Sequence, residues 1–421
     1  MSGDYAGARQ KMAKKGEPRK LLALDGGGIR GLITIEILAK IEALLRQQPG
    51  KSNLVLAEYF DYIAGTSTGA VIGTLLSMGK PVDKIRDIYE QFGEDMFVSK
   101  SITERLEKLK DVPPLVDHML EKVEKAEKKG RELAGIGKNY GKRLVGDKEA
   151  YSKYPGDPLI KKLKEFIGED AVTLETDKLK TLLLLVLHNV TTDSPWPVCN
   201  NPNAKNHARD AKIPLWQLVR ASTAAPLYFP PQEIMVGGEK LLFVDGGVTS
   251  YNNPAFQLFL QATLAPYHLD WPASEKKMLL VSVGTGLHPN LQPGVREEDM
   301  HALRAGKGAA KALFNTAQYQ QDLLCRVFGW CLSGDELDEE VSNLVEAKGG
   351  PLPERERRLF TYVRYNATLT DDGLRDLGLP DIKPDDVRST DSVAHANKLR
   401  KIGKKVADLR VKEEHFRNFP A

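Results

Sequence analysis

Short apolar runs that lead into glycine punctuate the chain: Leu21 to Leu24, Tyr62 to Ala64, Leu241 to Val244 and Met278 to Val283, each followed by a segment of helical character. That is the βα grammar of a mainly parallel sheet, so the pattern predicts an α/β fold. After the first run, Ile37, Leu38, Ile41, Leu44 and Leu45 recur at three- and four-residue spacing and predict a helix with one buried stripe. After the second, Gly69 to Met78 is almost entirely apolar, and a helix of that kind belongs inside the molecule. The most apolar run, Leu182 to Leu187, is too short to span a bilayer and predicts a strand buried on both faces.

Elsewhere the pattern changes. Residues 99–150 hold a charged stretch from Glu121 to Glu132 and then a Gly/Lys-rich sequel through Gly135, Gly137 and Gly141. This predicts a helical insertion outside the central sheet, either a lid or a surface excursion. The region 286–350 is rich in loops and helices, Leu359 to Tyr365 returns a strand-like run, and from Asp381 onward charged helical spacing predicts a peripheral cap. The expected organisation is a basic N-terminal arm over 1–19, a main domain over 20–290 carrying the insertion, and a C-terminal extension over 291–421 packed on that domain.

Composition narrows the function classes. With 421 residues, 41% hydrophobic and 28% charged, the chain can bury a sizeable core. A net charge of +3 gives no whole-molecule field that would argue for a nucleic acid polymer as partner. Basic residues cluster locally, at Arg9, Lys11, Lys14, Lys15, Arg19 and Lys20 and again at Lys138, Lys142, Arg143, Lys148 and Lys153, either as solvated runs or as a membrane-surface attraction. Cys199, Cys325 and Cys331 have no close pairing or metal spacing, and the first twenty residues lack an apolar core of a signal peptide. A cytoplasmic location is therefore expected, either free or in transient contact with the inner membrane surface.

Three motifs carry chemistry. Asp25-Gly26-Gly27-Gly28-Ile29-Arg30-Gly31 lies between a predicted strand and a predicted helix, where successive glycine N–H groups and a helix N-terminus can hold an anion or a developing oxyanion. Arg30 either reinforces that field or braces the loop. The same stretch satisfies the dinucleotide pattern G-x-G-x-x-G, but the next strand ends in Ala64-Gly65-Thr66 where an acidic ribose partner is needed. Gly65-Thr66-Ser67-Thr68-Gly69 is a G-x-S-x-G nucleophile elbow, with Ser67 thrust outward and Gly65 and Gly69 relieving backbone crowding. A serine hydroxyl needs a base, and Val244-Asp245-Gly246-Gly247 supplies a carboxylate at the end of an apolar strand, with Gly246 supporting the turn.

Histidine is the commoner base, and the chain has eight. Of these, His288, just past Val283-Gly284-Thr285-Gly286, is the candidate for a Ser-His-Asp arrangement. His188 reads as a core or rim residue, and no His/Cys/Asp set has the spacing of a metal site.

The trio DGGGIRG, GTSTG and DGG, in that order across residues 25–247, resembles the patatin-like phospholipase family. Phe60-Asp61-Tyr62-Ile63-Ala64, Arg220-Ala221-Ser222-Thr223-Ala224-Ala225-Pro226 and Tyr251-Asn252-Asn253-Pro254 extend the likeness over roughly residues 20–286. The resemblance implies a three-layer sandwich and a Ser67-Asp245 dyad without histidine. It also implies an oxyanion hole from Gly26, Gly27 and Gly28 with Arg30 beside it, and hydrolysis of fatty-acyl esters of phospholipids through an acyl-enzyme. No metal or organic cofactor is implied. Bacterial members of the family suggest a further expectation, activation by a cyclic nucleotide in antiphage defence, although no motif for such a ligand can be named. Against these stand a Ser-His-Asp esterase, a nucleotide-binding Rossmann-like enzyme and a non-catalytic lipid-binding scaffold.

Overall fold

Leu21 and Ala23 face one side of their strand, Leu22 and Leu24 the other, and all four are fully buried. Alternation with both faces buried requires a cover on each side, and this single feature sets the three-layer architecture. The computed structural model describes residues 6–14, 16–96, 152, 154–226, 228–289, 296, 302–337, 357–391 and 393–421. The insertion expected over 99–150, with its basic cluster, lies outside the described residues.

The strands are β1 (Arg19–Leu24), β2 (Tyr62–Thr66), β3 (Leu182–Asn189), β4 (Ser194–Cys199), β5 (Gln232–Val236), β6 (Glu239–Asp245), β7 (Met278–Val283), β8 (Trp330–Ser333) and β9 (Thr361–Tyr365). Among the described residues they form one mixed sheet in the order β5-β6-β3-β2-β1-β7-β9-β8, with β4 also paired to β3. The strands from β3 through β8 in that order are parallel to their neighbours. β4, β5 and β6 enter through antiparallel pairings. The helices that bear on the site are, in chain order, α1 (Ala6–Ala13), α2 (Gly31–Arg46), α3 (Thr68–Ser77), α4 (Val82–Met96), α5 (Leu215–Ser222), α6 (Ala255–Thr263), α7 (Ala302–Phe328) and α8 (Ala396–Arg410).

Two cores result. Leu22, Leu24, Ile63, Leu183, Leu185 and Val281 pack with α2, α3, α5 and α8 on one face. Leu21, Ala23, Tyr62, Ala64, Leu184 and Leu280 pack with α1, α6 and Cys325 of α7 on the other. β3 is buried over its whole apolar run and α3 is buried at every position, as their composition predicts.

Two expectations are revised. α2 buries more than one stripe, because α8 covers its outer side; there Glu36 is buried and held by Arg86 from α4 and by Arg400 from α8. The chain beyond residue 290 also does more than cap the fold, since β8 and β9 belong to the same sheet as the motifs. The basic residues Lys11, Lys14, Arg19 and Lys20 of the N-terminal segment turn inward around the fully buried Asp61, at the edge of the sheet opposite the three motifs. All three cysteines are buried and unpaired.

Candidate active site

Ser67 follows the last residue of β2 and precedes the first of α3, with φ 53° and ψ −121°. A serine in this left-handed region is strained, and the strain turns its side chain out of both the strand and the helix. Glycine is required on either side by the closeness of the turn: a Cβ on Gly65 would strike the Gly69 carbonyl, and one on Gly69 would strike the Leu24 carbonyl. The motif spacing is thus a packing constraint of strand, elbow and helix.

Asp245 reaches Ser67 by a route the sequence pattern does not convey. β4 pairs with residues 184–189 of β3, β2 with 182–186 and β6 with 187–189. A strand has two edges, so β2 and β6 share one of them, end to end, opposite β4. Thr66 stands against Val186 and Asp245 against Leu187, which places the acid where the ladder would have continued had the chain not turned at Ser67. β6 is antiparallel to β3, not the parallel strand expected from the Leu241 to Val244 run. It leaves a tight hairpin at Gly237 and Gly238, whose positive φ values of 59° and 90° suit a two-residue turn.

Thr66 and Asp245 stand against successive residues of β3, which makes the Ser67 side chain a hydrogen-bonding neighbour of the Asp245 carboxylate. Oδ1 of the same carboxylate accepts from the Gly247 N–H at 2.7 Å, and the Asp245 N–H donates to the Ala224 carbonyl at 3.0 Å. Burial pushes the Asp245 carboxyl up to about 6, against the opposing pulls of the Ser67 and Gly247 hydrogen bonds and of Arg220. Such a group is ionised at neutral pH yet basic enough to take a proton in a transition state. Ser67, Gly247 and Arg220 are the groups that act on its charge, and none of the three is a histidine. The imidazole Nδ1 of His288 instead lies 2.8 Å from the carbonyl of Pro289.

The glycine loop is clamped peptide by peptide. The Gly26 N–H donates to the Asn252 carbonyl at 3.1 Å, while the Gly26 carbonyl accepts from Thr285 Oγ1 at 2.8 Å and Asn252 Nδ2 at 3.4 Å. In a trans peptide the next N–H points the opposite way, so Gly27 N–H is turned from the clamp. The Gly27 carbonyl accepts from Arg30 N–H at 3.3 Å, and the Gly28 carbonyl from Thr68 Oγ1 at 2.8 Å and from the Tyr89 hydroxyl. The N–H groups of Gly27 and Gly28 meet no acceptor among the described residues. Of the three glycines expected as donors, Gly26 is the one whose N–H is engaged within the protein.

Arg30 is buried, its Nε has no partner among the described residues, and burial draws its pKa down to about 10 against the opposing influence of Tyr228 and Asp25. Gly246 packs against the Val186 carbonyl so closely that a Cβ would collide with it. Asp25, the first residue of the glycine motif, is turned away from the reacting groups into a bidentate pair with Arg364 of β9, at 2.9 and 2.5 Å, and Arg364 also donates to Ser282 at 2.7 Å. Burial pushes the Asp25 carboxyl up; on Arg364 burial is the largest single influence and lowers the pKa, but the charge and hydrogen bonds of Asp25 together with Tyr362 and Asp322 raise the guanidinium overall. The two-point contact decides between these tendencies, and the pair is ionic.

Asn252, Thr285 and Ser222 stand in stretches that sequence reading picks out without giving these residues a role, and it does not single out Arg364 at all. A sequence signal existed for Arg364, a charge inside the otherwise apolar run Thr361–Tyr365, which demands a buried partner. Among the described residues no group of His, Cys, Asp and Glu is arranged to hold a metal, and no helix is long and apolar enough to cross a membrane.

The chain is also similar to known proteins. The chain is 27% identical over 267 residues to a protein of Vibrio cholerae named cGAMP-activated phospholipase, 63% of this chain and 64% of that one. It is 25% identical over 270 residues to the protein of the same name from Escherichia coli, 64% and 63% of the two chains. With Patatin-2-Kuras 4 of Solanum tuberosum it shares 27% over 291 residues, 65% and 64% of the two. In each case the chain spans less than two thirds of the relative's length. The sequence profile of the patatin-like phospholipase matches residues 22–259, from β1 through the elbow and the Asp-Gly-Gly turn into α6. With more than half of its length so matched, the chain belongs to the patatin-like phospholipase family.

Proposed function

We propose that the protein is a serine acyl hydrolase that cleaves fatty-acyl esters of membrane phospholipids through Ser67 and Asp245. The observation that carries this reading is the juxtaposition, at successive positions along β3, of the strained Ser67 elbow with a buried carboxylate whose pKa is raised to about 6. In the first step Ser67 Oγ attacks the ester carbonyl carbon and its proton passes to Asp245. The N–H groups of Gly27 and Gly28 receive the oxyanion, with the Arg30 charge nearby. Collapse breaks the ester bond, and the proton on Asp245 goes to the departing lysophospholipid alcohol. Water then gives a proton to Asp245 as it attacks the acyl-enzyme, and the second collapse frees the fatty acid and returns the proton to Ser67.

The membrane is met from one side and transiently, with the enzyme at the cytoplasmic face. Regulation forms part of the proposal: two relatives at 25 and 27% identity carry names that describe activation by cGAMP, and a cyclic dinucleotide is the activator we assign, in a defence role. Calorimetry with a panel of cyclic di- and trinucleotides tests this, and heat from none of them would remove the regulatory part alone.

The catalytic part is tested with a fluorophosphonate probe and with fatty-acid release from phospholipid vesicles. Ser67→Ala should abolish labelling, and Ser67→Ala and Asp245→Ala should each lower release by several orders of magnitude, as for residues that act as a unit. Full activity in either variant would overturn the dyad.

A further inference from the structure

Ser67 occupies a backbone conformation that has to be held from outside. At φ 53° and ψ −121° a residue with a Cβ sits about 1–3 kcal/mol above its ordinary alternatives. Turning over the Thr66–Ser67 peptide would carry that φ to the negative side and release the strain. It would also turn the Ser67 N–H away from its present direction and loosen the elbow that carries the side chain. The elbow therefore needs an acceptor that fixes this one N–H.

Ser222, the last residue of α5, is fully buried and supplies it. The Ser67 N–H donates to Ser222 Oγ at 2.9 Å, and the Ser222 hydroxyl donates to the Val186 carbonyl at 2.7 Å. A hydroxyl has a single hydrogen, so with that hydrogen committed to Val186 only a lone pair can face Ser67. The polarity of the contact is thereby fixed, and a flipped peptide, presenting its carbonyl to Ser222, would meet no donor. Val186 is the ladder partner of Thr66, so the anchor is rigid and adjacent. Two residues further on, the Ala224 carbonyl accepts the Asp245 N–H at 3.0 Å. One turn of chain, Ser222–Ala224, thus holds the main chain of both the nucleophile and its base.

We propose that Ser222 is a positioning residue for the reaction: its hydroxyl latches the nucleophile elbow and keeps Ser67 Oγ aimed at Asp245 and at the oxyanion donors. This rests on the Ser67-Asp245 reading above. The function is geometric, because Ser222 has both of its hydrogen bonds inside the protein and touches no reacting atom.

The test compares wild type, Ser67→Ala, Ser222→Ala and Ser222→Cys as full chains. Each is measured for fluorophosphonate labelling rate, for kcat and KM on a short-chain p-nitrophenyl ester across pH, and for near-ultraviolet circular dichroism. Labelling that survives Ser67→Ala would sink the dyad and this proposal together. If labelling depends on Ser67, the Ser222 variants decide alone. Ser222→Ala should lower kcat and labelling rate by about 10- to 100-fold, the penalty of a misplaced nucleophile, with KM changed by less than about twofold. The acid limb of its pH profile should stay in place, since Asp245 keeps its surroundings. Ser222→Cys, which retains a weak acceptor of similar size, should recover part of the rate. The proposal is overturned if Ser222→Ala keeps kcat within about threefold of wild type. It is overturned equally if both variants lose the native spectrum, or if Cys is no better than Ala, because Ser222 then only fills space.

Discussion

Replacing Arg364 by Met would leave the Asp25 carboxylate, itself 1% exposed, without its counter-ion in the interior of the sheet. The wild-type guanidinium gives that carboxylate two hydrogen bonds and a third to Ser282, and methionine gives none. Breaking a buried pair from one side costs roughly 3–5 kcal/mol, mostly the penalty of the stranded charge. Set against a total stability of about 5–15 kcal/mol for a folded domain, this removes a large share. The double variant Asp25→Asn, Arg364→Met strands no charge and should recover at least about 2 kcal/mol of that loss. The sign with pH is also fixed. Without Arg364, burial raises the Asp25 pKa above its unfolded value, so the destabilisation is full above that folded pKa and fades as acid protonates the group. Urea unfolding followed by tryptophan fluorescence at several pH values measures all three quantities. Labelling by the fluorophosphonate should weaken too, because Asp25 opens the loop of oxyanion donors. An Arg364→Met cost below about 1 kcal/mol, or a double variant as unstable as the single, would refute the reasoning.

Three further outcomes follow from the site. With the Asp245 carboxyl raised to about 6, and active only when ionised, kcat/KM should fall about tenfold per unit as pH drops below that value; a limb near 4 would show that the titrating base is another group. Gly69→Ala places a methyl against the Leu24 carbonyl and should cost at least about 3 kcal/mol or abolish folding, read by the same unfolding curves; a neutral effect would mean that α3 is not seated on β1. Thr285→Val removes the 2.8 Å hydrogen bond to the Gly26 carbonyl and should lower kcat by about tenfold with KM little changed, and an unchanged kcat would show that Asn252 suffices to orient the loop.

Much of the fold is written locally. The apolar runs of β1, β2, β3 and β7 and the all-apolar α3 declare themselves through composition and period, and the elbow declares itself through two glycines whose absence of side chains the packing demands. Strand direction is not local. The alternation of Leu241 to Val244 says strand but carries no arrow, and only the Gly237-Gly238 pair between two strand-like runs hints that β6 returns beside β5. Partners far apart in sequence are equally silent: Asp25 and Arg364 lie 339 positions apart, and Ser222 reaches the Ser67 N–H across 155. For these, a charge or hydroxyl in an apolar setting says that a partner exists and leaves its identity to the tertiary fold.

Asp245 rides on the arm of a hairpin while Ser67 is built into the parallel scaffold, and only the alignment of β6 along β3 brings them level. Side chains alternate across a strand, so sliding that arm by one residue would present Val244 or Gly246 at the same spot and send the acid elsewhere. An insertion of a single residue between Glu239 and Val244 would thus part the proposed base from Ser67 in a chain that still folds and leaves every motif intact to the eye.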